Sequence, residues 1–527
     1  MTCLGAGLFG LSLISAACGS SGNKEATSAS SSTTAGGSTT SAAANGSTAT
    51  TAPVSRPTSM NDWEALWSKQ RDAIVKRIKD NKWGKSADGK TVTGPEGFQI
   101  DLSKCPSGWS DTEGLTDTSI KIGQAIAQSG SFAEYNNYSK GIKALFDDYG
   151  NKGAFKDVNG KSRKIDYVVK DDGYDSARTI PIVDELLDSQ KVFAVWTLGS
   201  PSTLKTYDKI NQRCVPHPLA MTAHAAWGDP VNHPWTTGAP APSYSTEAVL
   251  WGAFLEQHLT EFPADRKVKV ASLVMNNDFG KLYDQSFKAY LAQSDKLKGR
   301  VDYFNETIEA QAPTVTDPMT TLASKNPDVF IAMVAATPCT QAVTEAAQNG
   351  MHEKVKYLFQ PETCSGTTFM KKDKVGGDGT AAQNWWIVNP GGVDISDPTQ
   401  QGDAWVKFAR ELLKSNGLDP DSSSLLGAGL AYGWPLDQAL MVAGQFDGGL
   451  TRSNLALALR AMDMTDPMAL PGVSFHTNGN KDAYFIEAGV FQQWDAAKQT
   501  WVSKSDVIDL DGKSSNCSWD QSAGLCK

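Results

Sequence analysis

What most constrains this chain is an alternation of short β-rich runs with helical ones that begins at Thr118, runs its course, and starts again at Lys267. Runs 120–127, 164–170 and 191–198 are rich in β-branched and apolar residues. Helical stretches lie between them at 135–149 and 175–189, the second carrying Ile180, Val183, Leu186 and Leu187. Strands that alternate with helices of this length form βαβ units, so the expected sheet is parallel and covered on both sides. The second round reads 267–275, 300–304, 328–334, 356–359 and 384–388 as strands, with helices at 281–292 and 340–348. Late helical stretches follow at 402–414, 432–446 and 454–462, then β-rich runs at 483–487 and 490–494. Two blocks of similar size followed by a late helical set predict two similar α/β lobes, with a chain that crosses between them more than once.

Ahead of the blocks, Trp63, Leu66, Trp67, Ile74, Val75 and Ile78 recur at helical spacing, as expected of a helix packed on the main body. Nearer the start, the apolar run 8–17 is too short to span a bilayer but suits the core of an export signal. It ends at Cys18, and a tract of Ser, Thr, Ala, Gly and Asn follows that reads as a flexible tether. Ser15, Ala16 and Ala17 before Cys18 resemble the lipobox of bacterial lipoproteins, in which that cysteine carries the lipid. The alternative is a cleaved signal with Cys18 removed or unmodified. No Lys or Arg precedes the apolar run, and a start placed upstream would supply the missing basic residues.

A formal charge of -9 without Lys/Arg clusters argues against nucleic acid as a partner. No later segment has the apolar length of a membrane-spanning helix, which argues against a channel or permease. Setting aside Cys3 and Cys18, six of the eight cysteines remain. An even number in an exported chain is most simply three disulfides, although sequence alone leaves the pairing open. Loop position favours Cys339–Cys364 and Cys517–Cys526, which leaves Cys105 with Cys214. None of these cysteines has CxxC spacing and the six His are scattered, so neither a metal nor another cofactor is expected.

In open α/β sheets, ligands bind beyond the carboxyl ends of the strands, where loops enter helices. The first such loop, 128–131, leads to Tyr135, and the third, 199–203, carries Ser200 and Ser202 into a helix. A hydroxyl and free N–H groups at a helix start can hold an anion, or the hydroxyl can merely cap the helix, the commoner case. In the second block, Asn277, Asp278 and Phe279 follow one strand and Glu362 another. Glu362 could receive a ligand ammonium or stand as a solvated loop carboxylate. Asp171, Asp172 and Asp175 are read as turn and cap residues rather than metal ligands. His217, His224 and His233 are read as loop packing rather than acid/base groups. The chain has no GxGxxG loop, GxSxG elbow, Walker loop or HExxH motif, so no catalytic residue nominates itself.

Five stretches in order carry a resemblance: IKIGQAIAQSGSFAEYNNYSKGIKALFDDYGNKG, KIDYVVKDDGYDSARTIPIVDELLDSQKVFAVWTLGSPST, VKVASLVMNNDFGKLYDQSFKAYL, NPDVFIAMVAATPCTQAVTEAAQNGM and KYLFQPETCSG. With the late GVSFHTNGNKDAYFIEAGVFQQW, residues 118–501 resemble the type I periplasmic binding proteins, specifically the leucine/isoleucine/valine-binding group that serves ABC importers. The resemblance implies an α/β fold of two three-layer lobes with mainly parallel sheets, joined by three hinge crossovers. It implies one lobe from 118–238 and 389–471, the other from 239–388 and 472–514, an extension at 57–117 and a tail at 515–527. By the same resemblance Ser200 and Thr222 hold a ligand carboxylate, Glu362 receives its amino group, and Tyr135 and Phe279 supply aromatic walls. Two positions depart from it: 237–242 lacks the Asp that amino-acid binders often carry at the first crossover, and Ala335 to Thr337 replace a Tyr. These departures imply a roomier and less polar cleft. The implied role is a non-enzymatic, lipid-anchored, extracytoplasmic monomer that captures a small solute, an amino acid or related compound, for an ABC permease. The rivals are a ligand-sensing receptor module of the same fold, an exported enzyme, and a cell-envelope structural protein.

Overall fold

The computed structural model describes residues 56–389, 392–513 and 518–526. The export signal, Cys18, nearly all of the tether and Cys517 lie outside the described residues.

Helix α1 (Met60–Asp80) begins at Ser59, whose hydroxyl accepts from the Asp62 N–H. Its Trp63, Trp67, Ile74 and Ile78 are buried, as their spacing predicts. Trp67 packs on Trp405 and Trp434 with ring centroids 5.8 and 5.2 Å away, and its indole donates to the Thr465 carbonyl at 2.9 Å. Three short antiparallel strands follow, β1 (Gly84–Lys85), β2 (Thr91–Thr93) and β3 (Gln99–Asp101). The Cys105–Cys214 disulfide then ties this extension to the first α/β block.

That block comprises β4 (Ser119–Ile126), α2 (Asn136–Asn151), β5 (Phe155–Lys156), β6 (Ser162–Asp171), α3 (Ser176–Asp184), β7 (Ala194–Thr197) and α4 (Ser200–Gln212). Strand β4 lies between β6 and β7 and parallel to both, with Ile122 opposite Tyr167 and Ala194. Buried on both faces, β4 reads as a nearly continuous apolar run. Strand β5 adds an antiparallel edge to β6.

After α5 (Tyr244–Gln257) come β8 (Val268–Met275), α6 (Asp278–Gln293), β9 (Val301–Ile308), α7 (Thr316–Ser324), β10 (Val329–Met333) and α8 (Thr337–Gln348). The block ends with α9 (Met351–Lys354), β11 (Tyr357–Gln360), α10 (Lys372–Val375) and β12 (Trp385–Asn389). Strands β9, β8, β10, β11 and β12 are adjacent in that order and parallel. The chain then returns to the first block as α11 (Ala404–Ser415), α12 (Leu425–Gly444) and α13 (Arg452–Leu459). It crosses back once more to add β13 (Ala488–Asp495), β14 (Thr500–Ser503) and β15 (Ile508–Asp509), all antiparallel additions. Three passages between the blocks result.

Helices α2 and α12 pack so closely that side chains are excluded at their contact. A Cβ on Gly141 would sit 2.1 Å from the Leu426 carbonyl oxygen, and one on Gly429 2.3 Å from that of Tyr138. This approach fixes where Tyr138 and Tyr432 stand.

Three expectations need correction. The two sheets are unequal, with four strands against eight among the described residues. Residues 483–487 form no strand; they are buried without alternation and run straight into β13. Helix α12 starts seven residues before the expected 432, because Gly427, Gly429 and Gly433 read as helix breakers although they serve the contact with α2. Helix α5 has no counterpart in the sequence pattern: it is buried on nearly every side and so lacks the amphipathic signal.

Candidate functional site

Loops at the carboxyl ends of six parallel strands, three from each sheet, converge on one cavity of about 180 Å³. Tyr135 reaches it after β4, Tyr174 after β6, Ser200 after β7, Phe279 after β8, Ala335 after β10 and Glu362 after β11. Thr222, from the segment that follows α4, lines it as well. All five residues singled out from the sequence, Tyr135, Ser200, Thr222, Phe279 and Glu362, therefore share this wall.

On the side of the first sheet, Gly199 precedes α4 with φ +88°, a left-handed value that glycine tolerates. A Cβ there would lie 2.5 Å from a ring carbon of Tyr174, so the missing side chain also admits that ring. Ser200 is the first residue of α4 and fully buried, and no side chain caps this helix start. The capping alternative is thus not what the serine does: its hydroxyl lies 2.8 Å from that of Thr222, which lies 3.3 Å from the Tyr244 hydroxyl. The neighbouring Ser202 turns away to Thr179 at 2.8 Å. A helix start of thirteen residues with a hydroxyl pair beside it is suited to a carboxylate, because the dipole and free N–H groups face it.

Aromatic rings occupy most of the space between the walls. Tyr135 meets Tyr138 edge-on at 5.8 Å, Tyr138 meets Tyr432 at 5.9 Å, and Phe132 stacks on Tyr174 at 3.9 Å. From the other side, Phe279 meets Tyr244 edge-on at 5.0 Å. Phe279 is placed by Asn277, whose side-chain oxygen accepts from the N–H groups of Phe279 and Gly280 at the start of α6.

On the side of the second sheet, the Glu362 N–H donates to Glu247 Oε1 at 2.8 Å, and Glu247 Oε2 accepts from the Tyr283 hydroxyl. Glu247 is 1% exposed, and burial pushes its carboxyl well above the usual range. The side chain of Glu362 has no hydrogen-bond or ion-pair partner among the described residues, and burial pushes it up to about 7. The Cys339–Cys364 disulfide pins this loop to the start of α8, assisted by a 2.8 Å bond from Gln360 to the Cys339 carbonyl. Chemically the site is an uncompensated carboxylate facing a hydroxyl pair across a box of phenol rings. It contains no nucleophile–base pair.

Sequence reasoning missed Tyr138, Tyr174, Tyr244, Tyr432, Glu247 and Asp466. Tyr138 had a legible signal, lying one turn beyond Tyr135. Tyr244 and Glu247 stand in the first turn of α5, the helix that was passed over. Tyr174 lies within the run read as turn and caps, where Asp175 indeed caps α3 by accepting from the Ala177 N–H. Asp466 lines the cavity and is pushed up to about 7 by burial. These rings line the cavity together with the small Ala241 and Ala335. A void of about 150 Å³ holds benzene, which sets the scale of this cavity of about 180 Å³. His217 and His224 are buried packing groups, the first bonded to Thr197 at 3.1 Å.

Few bonds cross the cleft mouth. Thr337 donates to the Ser131 carbonyl at 3.3 Å and Gln311 to that of Gly173 at 3.5 Å.

Among solved structures, the chain is similar to the fatty acid ABC transporter substrate-binding protein from Thermomonospora curvata, at 17% identity and TM-score 0.62 over 77% of this chain and 96% of that one. It is similar to a branched chain amino acid ABC transporter protein from Thermus thermophilus with bound valine, at 15% identity and TM-score 0.62 over 75% and 97%. A solute binding protein of an ABC transporter from Rhodopseudomonas palustris BisB5, in complex with 3,4-dihydroxybenzoic acid, matches at 17% identity and TM-score 0.57 over 75% and 98%. At these identities the likeness shows a shared fold. No curated protein is similar enough in sequence to be matched. The profile of the periplasmic binding protein family matches residues 119–499, well over half of the chain, and with the two-sheet architecture and its interlobe cleft this protein belongs to that family.

Proposed function

We propose that this protein is the solute-binding component of an ABC importer, taking up a small organic acid that bears an amine, an amino acid or a close relative. The observation that carries this reading is the unpartnered Glu362 carboxylate facing Ser200 and Thr222 across one small cavity. A zwitterion would satisfy both walls, its carboxylate at the start of α4 and its ammonium at Glu362, with Tyr135 and Phe279 on its sides. Relatives of the same fold bound to valine and to 3,4-dihydroxybenzoic acid support a small carboxylate as the ligand class.

Residues 118–238 with 389–471 form one lobe in this reading and 239–388 with 472–514 the other. The ligand contacts both only when they close, so its binding energy biases a hinge equilibrium. Export, a lipid on Cys18 and the tether would keep the monomer near its permease, and no covalent chemistry is performed. The sensing alternative uses the same binding step and is separated by whether uptake is lost with the protein. Thermal unfolding of the full chain against amino acids, aromatic acids and fatty acids tests the reading. A midpoint raised by one class of amine-bearing acid supports it, and a rise with amine-free acids alone rejects the zwitterion assignment.

A further inference from the structure

A second, polar cavity of about 740 Å³ lies away from the cleft, where the last crossover enters the second lobe. Its wall gathers His476, Asp482 and Asp511, one donor atom from each lying within 4.8 Å of the others. His476 Nε2 is 3.2 Å from Asp482 Oδ2 and 3.3 Å from Asp511 Oδ2. Bonds of about 2.1 Å place neighbouring donors about 3.4 Å apart around a tetrahedral ion and about 3.0 Å apart around an octahedral one. The two separations are therefore those of ligands around one ion. An imidazole nitrogen carries one proton and donates to one acceptor, yet two carboxylates converge on it here.

An independent observation concerns Asp482. Its side chain is only 10% exposed, no other side chain hydrogen-bonds its oxygens, and beside the Tyr484 backbone N–H the His476 nitrogen is its one ion-pair neighbour. Asn480 Oδ1, in the same loop and lining the same cavity, is buried without a partner.

We propose that His476, Asp482 and Asp511 bind a divalent first-row transition ion of the Zn²⁺ type, fastening the last crossover to the segment that follows β15. Two carboxylates balance the ion's charge, and the imidazole nitrogen favours it over Ca²⁺ or Mg²⁺, which take oxygen ligands. Arg77, Lys481 and Lys513 line the cavity too, so this is not a general sink for cations. The sequence expectation of no metal rested on scattered His; folding brings one of them to two aspartates.

The test is calorimetric titration of the chelator-stripped full chain with ZnCl₂ and, separately, CaCl₂, with unfolding followed in parallel. The expected result is one saturable Zn²⁺ site that raises the unfolding midpoint and is reversed by chelator, with Ca²⁺ far weaker. Asp511→Asn, at a side chain 36% exposed, should weaken Zn²⁺ by about 10–100-fold in a chain that still folds without metal. His476→Gln should weaken it comparably. Absence of saturable Zn²⁺ binding, equal binding of Ca²⁺, or affinity unchanged in Asp511→Asn would overturn the proposal.

Discussion

On the first wall of the cleft, Ser200 and Thr222 satisfy one another at 2.8 Å, whereas on the second the Glu362 carboxylate is desolvated and has no partner of its own. The first wall is complete without a ligand, and a ligand there exchanges one set of hydrogen bonds for another. The second wall is not complete, because the buried Glu247 carboxyl accepts from the Glu362 backbone and supplies no charge balance for its side chain. Neutral hydrogen bonds contribute about 0.5–1.5 kcal/mol net and those to charged groups about 1.5–3. Ligand affinity should therefore lean on the second wall, and geometry on the first.

The largest effect should come from breaking the frame of the first wall. Gly199→Val forces a β-branched residue into a left-handed conformation and against the Tyr174 ring, which should cost about 3 kcal/mol of stability in chemical unfolding. Next, Glu362→Ala should weaken an amine-bearing ligand by about 1.5–3 kcal/mol in calorimetry, with little loss of stability. Ser200→Ala should cost about 1 kcal/mol, since Thr222 and the α4 N–H groups remain. An equal loss at both positions would remove the contrast between the walls.

The remaining effects are in pH. With Glu362 at about 7 in the free protein, its ionised form is scarce below neutrality, so affinity for a cationic ligand should fall about tenfold per unit as pH drops below 7. Glu362→Gln should flatten that slope. Stability runs the other way: a carboxyl raised in the folded state holds its proton there longer than in the unfolded chain, so stability declines as pH rises from the ordinary range near 4.5 through about 7. Glu362→Gln should accordingly raise the unfolding midpoint of the free protein more at pH 8 than at pH 5.

The same contrast separates what the sequence disclosed from what it withheld. Strand-end loops carry a local signal, because an apolar run stops and a helix begins. Tyr135, Ser200, Phe279 and Glu362 were legible for that reason, and resemblance to a family supplied Thr222 and the roles of all five. Tyr244, Glu247 and Tyr432 lie inside helices buried on nearly every side, where neither amphipathic period nor turn chemistry marks them. Glycines in α12 point the wrong way locally, reading as breaks when they admit α2. The inequality of the two sheets was likewise hidden, since β13, β14 and β15 return from distant sequence to extend the second.

The most direct test of the account is calorimetric titration of the full chain with the best amine-bearing acid from the unfolding panel, repeated in Ser200→Ala and Glu362→Gln at pH 6 and pH 8. The account predicts one site per chain, a greater loss for Glu362→Gln than for Ser200→Ala, and a pH dependence that disappears with Glu362. Binding that is unchanged by either substitution, or that strengthens toward pH 6 in the unaltered protein, would contradict it.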